Sequence, residues 1–152
     1  MTNDSIDIDY LELADFLLIA EAVLQTPVKE IAQDANLNLA DSALHAPRAR
    51  FVGEEFYPEF PTKAAVLGAH LAKNHPLKDG NVQVALVATV EFCARNGFPW
   101  SPPPCDEEGE ATAAVFLGLA EGPISDEVID DLSGWIAERI GLTYSKRAPA
   151  TP

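Results

Sequence analysis

Two stretches of this sequence are apolar around most of a helical circumference, and one polar loop separates them. The first carries Ala64, Ala65, Val66, Leu67, Ala69, Leu71 and Ala72; the second carries Val82, Val84, Leu86, Val87, Val90, Phe92 and Cys93. A surface helix shows a single apolar stripe, whereas a helix apolar on nearly all sides sits inside a domain. The pattern predicts two buried helices at the centre of an all-α fold, joined by His75-Pro76-Leu77-Lys78-Asp79-Gly80-Asn81.

Other helices are predicted around this pair. Asp9 and Glu12 form a capping-box-like start, and Leu13, Phe16, Leu17, Ala20 and Leu24 follow at helical spacing until Thr26-Pro27. A short helix is expected over Leu37 to His45, before Pro47. Pro61 opens the first buried helix. Asp106 caps a helix ending at Gly122-Pro123, and Ser125 starts a last one closed by Gly141. Arg48 to Phe60 is a loop rich in aromatics, Gly and Pro that admits a small hairpin, and Phe98 to Cys105 is a rigid proline-rich connector. The expected organisation is one domain over residues 1–142 and a flexible tail over 143–152.

Composition narrows the function. With 152 residues and 47% apolar side chains the chain can bury a core. Twenty-four acidic against ten basic residues give a formal charge of −14, which phosphate backbones and anionic lipid would repel. Neither nucleic acid nor a membrane is an expected partner. No apolar run reaches bilayer-spanning length, and Met1 to Ser5 is polar and acidic, without the basic start of a secretory signal. A cytoplasmic protein is expected. Cys93 and Cys105 are too few for a disulfide framework or a four-cysteine zinc site.

The polar loop carries the chemistry. It feeds a helix, so the amides near Gly80, Asn81 and Val82 lack partners within that helix and present its positive end. Asp79 can cap the helix or hold a divalent cation, and His75 is the only side chain of this segment of a type that serves as a base near neutral pH. Base, carboxylate and free amides suit transfer of a phosphate-containing group with Mg²⁺. Spacing alone favours the plainer reading, a capped helix beside a solvated histidine.

His75-Pro76-Leu77-Lys78-Asp79-Gly80-Asn81 resembles the signature loop of the Fic/Doc family, written H-x-F-x-D-G/A-N followed by Lys/Gly-Arg. The resemblance is nearest to the death-on-curing branch. It extends through Tyr10-Leu11-Glu12-Leu13, Gly53-Glu54-Glu55-Phe56-Tyr57-Pro58 and Ala85-Leu86-Val87-Ala88, covering roughly residues 10 to 140. It implies a compact helical bundle with a flap before the central helices. It also implies a toxin of a type II toxin–antitoxin pair that phosphorylates a threonine of elongation factor Tu, with ATP and Mg²⁺ as cofactors. In longer relatives the reaction is AMP transfer to protein hydroxyls.

By this resemblance His75 is the general base, Asp79 holds Mg²⁺, and Gly80, Asn81, Val82 and Gln83 occupy the phosphate-contacting positions. Phe51, Val52, Gly53 and Glu54 form the flap that aligns the protein target. Three positions depart from the motif. Leu77 replaces Phe, Val82 stands where death-on-curing members carry Lys, and Gln83 stands where Arg is expected. An arginine there would grip phosphate by paired, charge-assisted hydrogen bonds, so weakened transfer is expected; the alternatives are a non-catalytic binding protein and an AMP transferase. Leu86 replaces a second downstream Arg of the AMP-transferring members. The inhibitory pattern Ser/Thr-x-x-x-Glu-Gly/Asn is broken at Ile31 after Thr26 to Glu30, which implies control by a small antitoxin protein in trans.

The remaining candidates have structural readings. His70 is expected to be a packed core histidine, His45 a helix-terminal cation, and Cys93 a small core residue. The cluster Asp106-Glu107-Glu108-Glu110 is expected to be a solvated helix start.

Overall fold

The computed structural model describes residues 7–106 and 109–146. Among them are seven α-helices: α1 (Leu13–Leu24), α2 (Val28–Asp34), α3 (Leu37–His45), α4 (Phe60–Asn74), α5 (Asn81–Arg95), α6 (Glu110–Glu121) and α7 (Asp126–Ile140). Two-residue strands β1 (Arg50–Phe51) and β2 (Glu54–Glu55) form a small antiparallel hairpin between α3 and α4. The expected all-α bundle with a short flap is what forms.

Helix α4 is the axis, packing against α3, α5, α6 and α7. From Pro61 to Ala69 every one of its residues is buried; the all-round apolar pattern accounts for Ala64 to Ala69, whereas Thr62 and Lys63 are buried polar residues. Its neighbour α5 is less enclosed than the sequence implies. Val84, Ala85, Ala88, Phe92 and Cys93 are buried, but Val87 is 40% exposed. Leu86, Val87 and Val90 line an apolar groove with Trp100 and Pro102. The proline-rich connector borders that groove through Trp100 and Pro102 and leaves Val87 uncovered.

The close approach of α4 to its neighbours depends on Gly68. A Cβ there would lie 2.6 Å from Thr89 Oγ1 and 3.0 Å from Phe116 Cε2. Thr89 cannot easily yield, because its hydroxyl donates to the Ala85 carbonyl at 2.8 Å. Overpacking a core costs about 1–3 kcal/mol, more than the roughly 0.5–1 kcal/mol that Ala gains over Gly in a helix. Gly68→Ala should therefore lower the melting temperature by a few degrees. An unchanged thermal melt would mean that α5 can move away.

Several boundaries differ from the sequence expectation, for tertiary reasons. The cap of α1 is Glu12, whose N–H donates to Asp15 Oδ2 at 2.8 Å. Asp9 lies one turn earlier, where its N–H donates to Asn96 Oδ1 at the end of α5. Helix α2 has no counterpart in the sequence expectation: Pro27 ends α1 but also caps α2, and one buried side chain, Ile31, anchors it. Asp106 is 4% exposed and belongs to no solvated face. Its carboxylate accepts from the Ala111 and Thr112 amides and the Thr112 hydroxyl, capping α6 from inside the fold, and these bonds hold it below the ordinary carboxylate range. Glu107 and Glu108 lie outside the described residues. Of the segment expected as a tail, Tyr144 donates to Asp130 and Lys146 pairs with Asp131; residues 147–152 lie outside the described set.

Candidate functional site

The loop from α4 to α5 is shaped by four residues. His75 ends α4 in a left-handed conformation, φ 50° and ψ 56°, one that histidine adopts more readily than most residues. Leu77 is 6% exposed and joins the core, so the apolar swap from Phe keeps its anchoring part. Asn81 clamps Leu77 from the first turn of α5: its Oδ1 accepts the Leu77 N–H at 2.8 Å, and its Nδ2 donates to the Leu77 carbonyl at 2.9 Å. Gly80, at φ 74°, lies where a Cβ would stand 2.3 Å from Leu24 Cδ2. The backbone angle is what favours glycine here; a Cβ would in addition oblige the half-buried Leu24 side chain to move.

This loop and the start of α5 line an open cleft of about 510 Å³ with Ala113 and Leu117 of α6. His75, Asp79, Gly80, Asn81, Val82 and Gln83 all line it, so the structure brings together the loop residues expected to act as base, metal ligand and phosphate contacts, while Leu77 points to the core. Phe51, Val52, Gly53 and Glu54 are not among its lining residues. Lys78, Ala113 and Leu117 were not identified from the sequence. Lys78 lies inside the loop, where its position was the available signal; α6 comes from a distant part of the chain and carries none.

The histidine is oriented by its own turn. Its Nδ1 lies 2.9 Å from the Lys73 carbonyl oxygen, and a carbonyl only accepts, so Nδ1 bears the proton. Neutral His75 therefore keeps its lone pair on Nε2. Asp79 Oδ1 accepts the Gly80 N–H at 3.1 Å, leaving Oδ2 without that engagement. In α5 the first backbone bond closes from the Val84 N–H to Gly80 at 3.0 Å, so the amides of Asn81, Val82 and Gln83 have no acceptor inside the helix. Gln83 is exposed, while Val82 is half-buried and packs on the core.

A sequence model described as the Fic/DOC family matches residues 10–93, more than half of the chain and the whole of the loop. The chain belongs to the Fic/DOC family. Toxin Doc of Mycolicibacterium smegmatis (strain ATCC 700084 / mc(2)155) is 34% identical to it over 89 residues, covering 59% of this chain and 65% of that relative. The chain thus spans slightly less than two thirds of the length of the curated Doc relative it matches. Within the Fic/DOC family it falls on the Doc-like side, and His75 to Asn81 is its form of the signature loop.

The segment expected as the flap is a tight hairpin in this chain. Arg50 pairs with Glu55 and Phe51 with Glu54. Val52 (φ 52°) and Gly53 (φ 79°) make the two-residue turn, with both φ values positive as the hairpin twist prefers. A β-branched residue is strained at that angle, and Val52 is also 85% exposed, next to Phe51 at 70%. The hairpin is tied to the core through Glu55, which accepts from Lys63 Nζ at 2.8 Å. Lys63 itself is 2% exposed, with Tyr10 beneath its ammonium.

That ion pair predicts a pH-dependent flap. The Lys63 hydrogen bond holds Glu55 below its ordinary value of 4.5. A depressed carboxyl pKa adds stability that is complete above the unfolded value and is lost as pH falls through the folded one. The flap attachment should therefore weaken below about pH 4.5. A carboxyl-carbon NMR titration should place Glu55 below 4.5, and Lys63→Met should return it to the ordinary range. Equal midpoints in the two proteins would show that the lysine does not act on Glu55.

The remaining titratable residues stand apart from the cleft lining. His70 is half-buried, and burial pushes its imidazole below the ordinary value. Cys93 is enclosed, and burial pushes its thiol up to about 12, which keeps it un-ionised. His45 ends α3 with Nδ1 against the Asp41 carbonyl at 2.9 Å. No described helix is long and apolar enough to cross a membrane.

Proposed function

We propose that this chain is the toxin of a toxin–antitoxin pair, a cytoplasmic protein that transfers the γ-phosphoryl group of ATP to a hydroxyl of a translation factor. A threonine of elongation factor Tu is the target the family resemblance favours. The observation that carries the reading is the shared cleft: His75, with Nδ1 turned to the Lys73 carbonyl, lines it together with Asp79 and the first residues of α5.

In this mechanism Nε2 of His75 takes the proton of the target hydroxyl as its oxygen attacks the γ-phosphorus. The bond from that phosphorus to the bridging oxygen breaks, and ADP carries the electron pair away. The amides of Asn81, Val82 and Gln83 receive phosphate oxygens at the positive end of α5. Magnesium is commonly held by one or two carboxylates plus substrate phosphates, a donor set that Asp79 Oδ2 and a triphosphate fit. When bound it would neutralise phosphate charge. The flap presents the open edges of a two-strand sheet, to which an extended target segment can add.

Two other readings keep specific support. Val82 and Gln83 carry no positive charge, which favours a binding protein without chemistry. The family likeness also leaves AMP transfer open. Incubation with ATP labelled at the γ-phosphate, and separately at the α-phosphate, in a translation extract distinguishes them. Protein labelling from the γ-position alone supports phosphoryl transfer; labelling from the α-position overturns it in favour of AMP transfer. No label in either case leaves the binding protein. Co-expression with the neighbouring small open reading frame should yield a stable complex if an antitoxin acts in trans.

A further inference from the structure

Lys78 lies between the buried anchor Leu77 and Asp79, exposed, and lines the cleft beside His75. The ion pairs among the described residues engage His45, Arg48, Lys63, Arg95, Arg139 and Lys146, and none engages Lys78. The other ionisable groups lining the cleft are His75 and Asp79. His75 serves as base only when neutral, and Asp79 adds negative charge. The chain as a whole carries −14. A polyanionic ligand entering the cleft therefore meets one permanent cation on its lining.

We propose that Lys78 is the phosphate-contacting cation of this cleft, replacing the charge that positions 82 and 83 lack. The inference rests on the nucleotide reading above and names the residue through which that site binds. The chemistry suits the position. A lysine ammonium is a compact point charge on a flexible stem, and it contacts phosphate without the fixed two-pronged geometry of arginine. The stem starts from a backbone pinned on both sides: Asn81 holds Leu77, and the Gly80 N–H is held by Asp79. The ammonium thus sits on a flexible stem with a fixed base, on the same cleft lining as Asn81, Val82 and Gln83. Because it is exposed, its attraction for phosphate should be screened by salt.

The test is calorimetric titration of the full chain with ATP and Mg²⁺. The proteins are the wild type, Lys78→Gln, Lys78→Arg and, as a charge-matched control outside the cleft, Lys29→Gln. Loss of one charge-assisted contact should weaken ATP binding about tenfold to a hundredfold in Lys78→Gln. Lys78→Arg should stay within a few-fold of wild type, Lys29→Gln should be unchanged, and the Lys78→Gln defect should shrink at high salt. Lys78 and Lys29 are both exposed, so thermal melts should coincide and show that each variant is folded. If the wild type binds ATP and Lys78→Gln binds equally well, the proposal is overturned while the nucleotide reading stands. If no protein of the set binds ATP, both fail. An equal loss in Lys29→Gln would make the effect one of net charge and would also overturn the assignment.

Discussion

Replacing His75 should reduce group transfer by about two to four orders of magnitude, the usual contribution of a positioned general base. The side chain is exposed and makes one hydrogen bond, to a carbonyl within its own turn. Its removal therefore takes little from the core. The backbone is less neutral: His75 sits at φ 50°, and a left-handed conformation costs an ordinary residue roughly 1–2 kcal/mol. His75→Ala should lose some stability along with activity. His75→Asn is the cleaner variant, since Asn tolerates that conformation while lacking a comparable base. The check is the rate of label transfer beside melting curves for both variants. Full activity in His75→Asn would remove the histidine from the chemistry, and a collapse of the fold in both would mark it as structural.

Gln83→Arg should raise transfer and nucleotide affinity together. Gln83 is exposed at the first turn of α5 and lines the cleft, so an arginine there reaches phosphate without entering the core. A charge-assisted hydrogen bond is worth about 1.5–3 kcal/mol, roughly ten- to a hundredfold or somewhat more in rate or affinity. Placing a cation at the positive end of a helix costs about half a kcal/mol in return. Activity and stability should move in opposite directions. Val82→Lys offers less, because Val82 is half-buried against the core and a lysine there must give up that packing to reach solvent. The measurement is label transfer and ATP titration for Gln83→Arg against the wild type, with thermal melts alongside. Equal values in both proteins would mean that position 83 does not face the phosphates in the working state.

The sequence by itself determined the elements whose cause is local. Periodicity and punctuation located α1, α3, α4, α5 and α7 closely, because Pro47, Pro61, Ser125 and Gly141 act on the chain next to them. Its motif placed His75, Asp79, Gly80, Asn81, Val82 and Gln83 in one segment, and a segment of adjacent residues needs little tertiary information to converge on a cleft. Helix α2 escaped because a single buried residue, Ile31, shows no periodicity. Where partners come from afar, the sequence was silent. Asp9 and Glu12 share the spacing of Glu12 and Asp15, and only Asn96, reaching Asp9 from the end of α5, settles which pair caps α1. Asp106 is legible in sequence as the cap of the helix it precedes, but its burial beside Arg139 of α7 is not. Lys63 reads as an ordinary charge until burial leaves Glu55 of the hairpin as its anion. The wall formed by Ala113 and Leu117 likewise depends on which atoms meet in space. Local backbone preference is written in neighbouring residues, whereas burial, charge pairing and protonation follow from contacts that only the folded chain creates.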